Sequence, residues 1–204
     1  ERTTAETSVK VSLGVKQLAD LTEPTGEPAF GAPESTSIRI ATGIGFFDHM
    51  LNAFLFHGRM FGQIQADGDL HVDFHHTVED VGIVLGRAFH AYVEKFGPVA
   101  RFGHAVIPMD DALAEATVDV CGRPYLVYRG DFPQSIIGTF DVDLAREFFQ
   151  ALTNEARINL HLNARYGLNS HHMVEAMFKA AGRALWHGYQ PAGFVVSTKG
   201  ALGT

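Results

Sequence analysis

A pair of adjacent histidines followed by a glutamate occurs twice in the sequence, as HHTVE at 75–79 and as HHMVE at 171–175. On a helix, residues three or four apart share a face, so a histidine and the glutamate of one motif can bind a metal ion together. Neighbouring histidines point about 100° apart and are poorly placed to chelate the same ion. The repeat therefore predicts two metal ions, each receiving a histidine and a glutamate from one motif and a lone histidine from the other.

Two further histidines are suited to the same ions. His49 follows Asp48 at the start of a predicted helix, and His161 lies within a predicted strand between two leucines. Four protein ligands per ion would leave open positions for a substrate on a six-coordinate ion. The predicted metal ligands are His49, His75, His76, Glu79, His161, His171, His172 and Glu175.

The identity of the ion is left open by these donors, because histidine and carboxylate ligands permit zinc, iron, manganese or nickel. A structural zinc site is disfavoured, since such sites are closed and rich in thiolates and this chain has a single cysteine, Cys121. The alternative interpretation of the paired histidines is a solvated helix start. By default, the other histidines are assigned to the core or the surface: His57, His71, His90, His104 and His187.

The two motifs belong to longer matching segments. HHTVEDVGIVLGRAF and HHMVEAMFKAAGRAL coincide at a shift of 96 positions, and the segments before them match at a shift of 97 to 98. This self-similarity predicts an internal duplication, in which two strand-rich units of about 90 residues each carry helices on one face. The predicted organisation is a single α+β domain over 1–204, made of two repeats at approximately 1–97 and 98–204.

Apolar periodicity predicts the elements that carry these residues. It indicates a strand at 9–15, a helix beginning at Asp48 and a long helix that ends at about 96. The segment 61–74 is predicted to form a strand, an Asp-Gly turn and a second strand. Residues 17–37, which contain three prolines, are predicted to form an exposed loop.

The charge balance narrows the possible partners. A net charge of −7 argues against a general nucleic-acid or membrane-surface binder, because such surfaces require a positive field. No apolar run reaches the roughly 18 residues of a membrane span, and the single cysteine is typical of a reducing compartment. An anionic small substrate would therefore need a local basic pocket. The candidates for it are Arg101, Arg123, Ser197, Thr198 and Lys199, the last three in the C-terminal STKG stretch.

These residues together resemble one enzyme family. The segments TGIGFFDHML, DLHVDFHHTVED, RFGHAVIPMDDAL, GRPY, LNSHHMVEAMFKAAGRAL and STKG are similar, in order and over nearly the whole chain, to imidazoleglycerol-phosphate dehydratases of histidine biosynthesis. The resemblance implies a duplicated fold in which each half is a four-stranded sheet backed by helices, of the kind called ribosomal S5 domain 2-like. It also implies a 24-subunit shell built from trimers, with two manganese ions per active site between subunits.

The resemblance further implies an activity and residue roles. The reaction would convert imidazole glycerol phosphate to imidazole acetol phosphate and water, in the cytoplasm or, after removal of a transit peptide, in a plastid. By this resemblance, the eight predicted metal ligands would bind manganese, and the five candidates for the basic pocket would contact the substrate. Glu6, which the sequence alone indicates only as an exposed residue before a strand, matches an acid/base near the substrate. Val196 stands where the family usually has a proline before STKG.

The implied chemistry suits these parts. No carbonyl acidifies the carbon that loses its proton, so a base alone would fail. Metal ions bound to an imidazole nitrogen would favour the imidazolate, whose electrons can expel the neighbouring hydroxyl. The diazafulvene intermediate has an acidic carbon proton, and Glu6 would contribute roughly 10²–10⁴-fold by accepting it.

Two other functions remain open at this level. A dinuclear hydrolase of phosphoesters also needs two metals and an anion pocket, but such enzymes usually bridge their ions with a carboxylate, and here the acids lie in separate repeats. A metal-storage module would explain the histidines and leave the arginines without a role.

Overall fold

A computed structural model describes residues 1–15 and 37–194 of the chain. The predicted substrate contacts Ser197, Thr198 and Lys199, as well as Val196, lie outside these residues, as does nearly all of the predicted loop. The strands are β1 (Arg2–Thr3), β2 (Thr7–Val15), β3 (Ile38–Ala41), β4 (Met60–Gly68), β5 (Phe102–Met109), β6 (Ala112–Asp119), β7 (Tyr125–Arg129), β8 (Ile136–Ile137), β9 (Phe140–Asp141) and β10 (Asn159–Tyr166). The helices are α1 (Gly45–His57), α2 (His75–Phe96), α3 (Asp143–Ala156) and α4 (Ser170–Gly188). Over the described ranges, no helix has both the length and the apolar character needed to cross a membrane.

The two four-stranded sheets have the same strand order and orientation. The first follows β1-β2-β4-β3 and the second β5-β6-β10-β7. In each sheet the first three strands pair antiparallel, and the fourth pairs parallel with the third. Each parallel pair is connected through one helix, α1 in the first half and α3 in the second. The predicted α+β fold and its internal duplication are confirmed, while the repeat boundary at 97/98 stays a prediction.

The helices lie between the sheets and join both halves in one core. α1 and α2 pack on the first sheet, α3 and α4 pack on the second, and α1 contacts α4 as α2 contacts α3. The ring of Phe148 in α3, for example, contacts Phe47 and Phe54 of α1 and Phe178 of α4, and all four side chains are fully buried. Burial of one such side chain stabilises the fold by roughly 1.5–3 kcal/mol. This shared core holds the two repeats in a defined relative position.

The prediction of a second strand within 61–74 is wrong. β4 ends at Gly68, and turns follow, one of them closed by a hydrogen bond from Val72 N to Asp69 O (2.8 Å), before α2 begins at His75. β4 already pairs with β2 on one side and with β3 on the other. A strand folding back from β4 would therefore find no free edge to pair with.

Candidate metal centre

Both histidine pairs lie in the first turn of a helix whose start is set by an Asx residue. Asp73 Oδ1 accepts a hydrogen bond from His75 N (2.8 Å), and Asn169 Oδ1 accepts one from His171 N (2.9 Å). The two Asx residues are again 96 positions apart, so the repeat includes the residues that begin the helices. The structure thus places both motifs at helix starts, and α2 begins two residues before the position of about 77 that the sequence predicts.

Three of the predicted ligands converge where α1 meets α4. The Nε2 atoms of His49 and His171 each lie 3.3 Å from Oε2 of Glu175. One ligand atom from each residue lies within 4.8 Å of the other two, and within residues 1–15 and 37–194 this is the one such group of three or more histidine, cysteine or acidic side chains. His75 and Glu79 occupy the corresponding turn of α2.

The spacing of this cluster fits a bound metal ion. Two ligands at about 2.1 Å in adjacent positions of an octahedral divalent ion are about 3 Å apart. The 3.3 Å separations between each imidazole nitrogen and the carboxylate oxygen are close to that value. Two imidazoles and a carboxylate are suitable donors for several divalent transition metals, manganese among them.

A largely buried lysine binds the other carboxylate oxygen of Glu175. Lys179 Nζ lies 2.7 Å from Oε1, and the two side chains are only 15% and 7% exposed. Burial by itself would raise the pKa of Glu175, but Lys179, aided by His49, outweighs it, and the pKa lies below its usual value. The carboxylate is kept ionised with Oε2 turned toward the histidines. Lys179 is absent from the predicted site, although its i,i+4 spacing after Glu175 is a signal that could have indicated it.

The two histidines of each motif point in different directions. The ring centroids of His171 and His172 are 6.0 Å apart with an interplanar angle of 75°, and those of His75 and His76 are 6.2 Å apart at 89°. This geometry agrees with the expectation that neighbouring imidazoles address separate ions.

The second histidine of each motif is fixed by an aspartate. Nδ1 of His76 lies 3.0 Å from Asp69 Oδ2, and Nδ1 of His172 lies 2.5 Å from Asp111 Oδ1. Each hydrogen bond raises the pKa of its histidine. The bond from His172, together with those from the backbone amides of Leu168 and Asn169, lowers the pKa of Asp111 to about 2. A carboxylate on Nδ1 leaves Nε2 as the ligand nitrogen, as is usual for metal-binding histidines. Asp69 and Asp111 are 7 and 61 positions from their histidines, so no common spacing in the sequence indicates these pairs.

Glu6 lies beside the first motif. Its Oε2 is 3.9 Å from Nδ1 of His76, and its side chain is 58% exposed. Buried Asp80 of α2 ties this segment down, because it accepts a hydrogen bond from Thr7 Oγ1 and forms an ion pair with Arg2. Asp80 therefore sets the position of Glu6, a role that the HHTVED motif alone does not reveal.

Comparison with known proteins identifies the family. A model of the imidazoleglycerol-phosphate dehydratase family matches residues 42–185, a range that contains all eight predicted ligands. The chain belongs to this family. The imidazoleglycerol-phosphate dehydratase of Pelobacter propionicus is 48% identical over 186 residues, which cover 91% of this chain and 86% of that protein. The enzyme of the same name from Anaeromyxobacter dehalogenans is 52% identical over 166 residues, or 80% of each chain.

Solved structures of imidazoleglycerol-phosphate dehydratases have the same fold. The enzyme from Pyrococcus furiosus matches with a TM-score of 0.79 and 36% identity, over 98% of this chain and 99% of that one. The enzyme from Staphylococcus aureus matches with a TM-score of 0.73 and 38% identity, over 79% and 91%. The predicted enzyme class, a carbon–oxygen lyase of the dehydratase type, is confirmed.

In this imidazoleglycerol-phosphate dehydratase fold, the two predicted phosphate-binding arginines lie far from the histidine cluster of the same chain. Arg101 N donates to Gly188 O at the end of α4 (2.9 Å), whereas His171 lies in the first turn of that helix. Positions 171 and 188 are 17 residues apart, which is about 25 Å along a helix. Arg123 is at the same end of the second sheet, where its carbonyl accepts a hydrogen bond from Asn159 at the start of β10 (2.7 Å).

The guanidinium of Arg101 is already held in a defined orientation. It binds both carboxylate oxygens of Asp119, with Nε–Oδ1 at 2.7 Å and Nη2–Oδ2 at 3.2 Å, and this hydrogen bonding raises the pKa of Arg101. The backbone of Arg101 is left-handed, with φ of 73°. A strained non-glycine residue with an oriented charge is often found at a ligand site.

His161 lies on the outer face of the second sheet. Its neighbours Leu160 and Leu162 are fully buried against the helices, so His161 faces the opposite side. There it lines an open pocket of about 480 Å³ together with Glu115 and Asp119. Among the described residues, no converging group of three donor side chains includes it. The structure does not bring His161 to the cluster on α1 and α4, and its role as a ligand stays a prediction.

Proposed function

We propose that the chain catalyses the reaction for which its relatives are named, the dehydration of imidazole glycerol phosphate to imidazole acetol phosphate in histidine biosynthesis. The observation that carries this proposal is the convergence of His49, His171 and Glu175 at the junction of α1 and α4. His171 and Glu175 belong to a duplicated motif, so a second pair of donors from the other repeat is expected.

The proposed cofactor is Mn²⁺, with two ions per active site. His49, His171 and Glu175 would hold one ion, and His75 with Glu79 would bind the second from the other repeat. When bound, the ions would act as Lewis acids that stabilise negative charge on the imidazole ring of the substrate, worth several kcal/mol. The ion pair with Lys179 supports this role, since it keeps Glu175 ionised at the position where a cation would be bound.

Each active site would be formed between subunits. His76 and His172 turn away from the first histidine of their motifs, and an aspartate fixes each ring with Nε2 as the ligand nitrogen. These two imidazoles would complete sites contributed by neighbouring copies. The phosphate of the substrate would also be bound by a residue of a neighbouring copy. About 25 Å of helix separates Arg101 from His171 of the same chain, which is far more than the length of the substrate. The proposed assembly is the 24-subunit shell built from trimers that the family resemblance implies.

Glu6 would transfer the proton. Its exposed carboxylate beside His76 could reach a substrate ring on the ion that this histidine helps to bind. Asp80 holds the segment in place without occupying the carboxylate of Glu6, because it binds Thr7 and Arg2 instead. The carboxylate remains accessible to a substrate hydrogen.

Turnover of imidazole glycerol phosphate by the metal-free protein, with and without added Mn²⁺, tests this function. We expect Mn²⁺ to restore formation of the enol-derived product, measured by absorbance, with no steady release of inorganic phosphate. Phosphate release without that product would identify a hydrolase instead. Tight binding of Mn²⁺ with neither activity would identify a metal-storage protein.

A further inference from the structure

The two helix pairs pack in the same way in both repeats. A Cβ atom added to Gly182 of α4 would lie 2.1 Å from Phe54 O of α1. One added to Gly86 of α2 would lie 2.6 Å from Leu152 O of α3. The two glycines are 96 positions apart, and the two carbonyls are 98 positions apart. These shifts therefore relate each residue of α4 to one of α2, and each residue of α1 to one of α3.

The α2–α3 pair carries a balanced set of charges close to its glycine contact. Arg87 Nε lies 2.9 Å from Glu155 Oε2, and this hydrogen bond raises the pKa of Arg87. His90 Nε2 lies 3.5 Å from Glu94 Oε1. Arg157, which ends α3 with a left-handed φ of 55°, adds a second guanidinium. The two arginines and the two glutamates leave this set with a net charge close to zero.

The α1–α4 pair has the same two arginines. Arg183 of α4 corresponds to Arg87 at the shift of 96. Arg59, which follows α1, corresponds to Arg157 at the shift of 98, and its φ of 50° is left-handed like that of its counterpart. The positive charges of the two sets therefore occupy equivalent places.

The two acids have no counterpart in the α1–α4 pair. His57 stands at the position of Glu155, and Gln190 stands at that of Glu94. Partial burial lowers the pKa of His57, so its imidazole carries little charge at neutral pH. The α1–α4 set thus has two positive charges and lacks the two acids that neutralise its counterpart.

Trp186 holds both arginines of this set. Cζ of Arg59 lies 4.7 Å from the centroid of the Trp186 ring, and Cζ of Arg183 lies 5.0 Å from it. The indole is buried, whereas both arginines are partly exposed. Over the part of the chain that the structure describes, neither guanidinium forms an ion pair with a carboxylate. Burial and the nearby charge of Arg183 lower the pKa of Arg59, as expected for like charges without a counter-charge.

The helix dipole does not explain the missing acids. The last carbonyls of a helix carry about half an elementary negative charge, which is less than the charge on two guanidiniums. The end of α3 supplies the same partial charge to the other set, where two glutamates are nevertheless present. The difference between the two sets therefore indicates that a negative group from outside the described residues binds at the α1–α4 pair.

We propose that Arg59 and Arg183, oriented on Trp186, form a binding site for a phosphate group, either free or as part of a monoester. Guanidinium groups bind phosphate oxygens through paired hydrogen bonds, and stacking on an indole leaves their N–H groups able to donate. A phosphate monoester carries about −1.5 to −2 charges at neutral pH, which matches two arginines better than the single charge of a carboxylate.

This site is separate from the predicted phosphate contact Arg101. The guanidinium of Arg101 binds Asp119, which lines the pocket on the outer face of the second sheet. Arg183 belongs to α4, which packs on the helix side of that sheet. The inference also stands apart from the proposed function, because it requires neither a metal ion nor turnover.

The test is a titration of the full chain with inorganic phosphate at constant ionic strength. Trp186 is the single tryptophan of the chain, so its fluorescence reports on the site directly, and titration calorimetry gives the affinity independently. We expect a saturable change in fluorescence. Arg59→Gln and Arg183→Gln should each weaken binding at least about tenfold, because each removes charged hydrogen-bond donors.

Two further titrations establish which anion the site accepts. Glycerol phosphate and inorganic phosphate are titrated separately, and the tighter ligand shows whether the phosphate group is bound as a monoester or free. Acetate should bind much more weakly than either, and an equal affinity for acetate would overturn the assignment to phosphate.

His57→Glu places a carboxylate where Glu155 lies in the other helix pair. The new carboxylate should bind Arg183, as Glu155 binds Arg87, and weaken the binding of phosphate. Phosphate affinity equal to that of the unmodified protein would show that Arg183 does not contact the anion.

Arg87→Gln is the matched control, because Arg87 is the equivalent arginine and is already paired with Glu155. It should leave phosphate affinity unchanged, and Arg101→Gln should leave the response of Trp186 unchanged. Loss of binding in either variant equal to that in Arg183→Gln would overturn the inference, as would an unmodified protein without saturable binding. A lower molar mass of Arg183→Gln with unchanged phosphate affinity would also overturn it, because the partner would then be an acid of a neighbouring copy.

Discussion

The carboxylate of Glu175 has a defined partner at each oxygen. Lys179 binds Oε1, and the imidazoles of His49 and His171 lie at Oε2. Because the lysine and the glutamate are both largely buried, the ion pair fixes the orientation of the carboxylate before a cation arrives. Residues of this kind reduce the reorganisation that binding would otherwise require.

Within residues 1–15 and 37–194, the ion-pair contact of Glu6 is with Nδ1 of His76 at 3.9 Å, longer than those of Glu175. Its replacement should therefore affect chemistry more than metal binding. We expect Glu6→Gln to lower kcat roughly 10²–10⁴-fold, the usual contribution of a positioned acid/base. Steady-state turnover of imidazole glycerol phosphate, together with the Mn²⁺ content, would measure this. Glu1→Gln is a suitable control, since Glu1 is an exposed acid 3.3 Å from Lys10. A Glu6→Gln variant with normal kcat would rule out the proton-transfer role.

At the scale of elements, glycines allow the helix pairs to approach closely. Gly182 brings α4 against the backbone of α1, and Gly86 does the same for α2 and α3. The contact at Gly182 lies seven residues, or about two helical turns, beyond Glu175, so helix spacing and metal-ligand spacing are coupled.

Gly182→Ala should therefore destabilise the fold. The added methyl group would lie 2.1 Å from Phe54 O, and the helices would have to separate. Overpacking of this kind costs roughly 1–3 kcal/mol, and each kcal/mol lowers Tm by roughly 2–4 °C in a chain of this size. Thermal unfolding followed by circular dichroism would measure the change. Gly45→Ala, at a position with nothing within 4 Å of the added atom, should leave Tm nearly unchanged; equal effects of both substitutions would argue against close packing as the cause.

At the scale of the whole molecule, one chain carries the parts of the proposed active site on distant surfaces. The histidine cluster lies at the start of α4, and Arg101 lies at its end. Imidazoles such as that of His172 are directed away from the cluster of their own chain. If neighbouring copies share the ions, the metal holds the assembly together as well as binding the substrate.

Removal of the metal should therefore reduce the size of the particle. We expect a chelator to lower the molar mass measured by light scattering, from that of the proposed 24-subunit shell to that of smaller units such as trimers, because shared ligands then lose their common ion. Addition of Mn²⁺ should restore the original mass. A mass that stays constant through complete removal of the ion would contradict sites built between subunits.

The sequence by itself determined the local features of this protein. The spacing of His171 and Glu175 depends only on the period of a helix, and the repeat of this motif at a fixed shift was enough to predict the duplicated fold. Contacts between distant segments were decided by the tertiary structure. It brought His49 to Glu175 across the packed helices, and it placed His161 on the opposite face of a sheet. Asp111, 61 positions from His172, was likewise found only through contact. Helix periodicity acts within a few residues, whereas contacts between distant residues depend on how the packed elements are arranged in space.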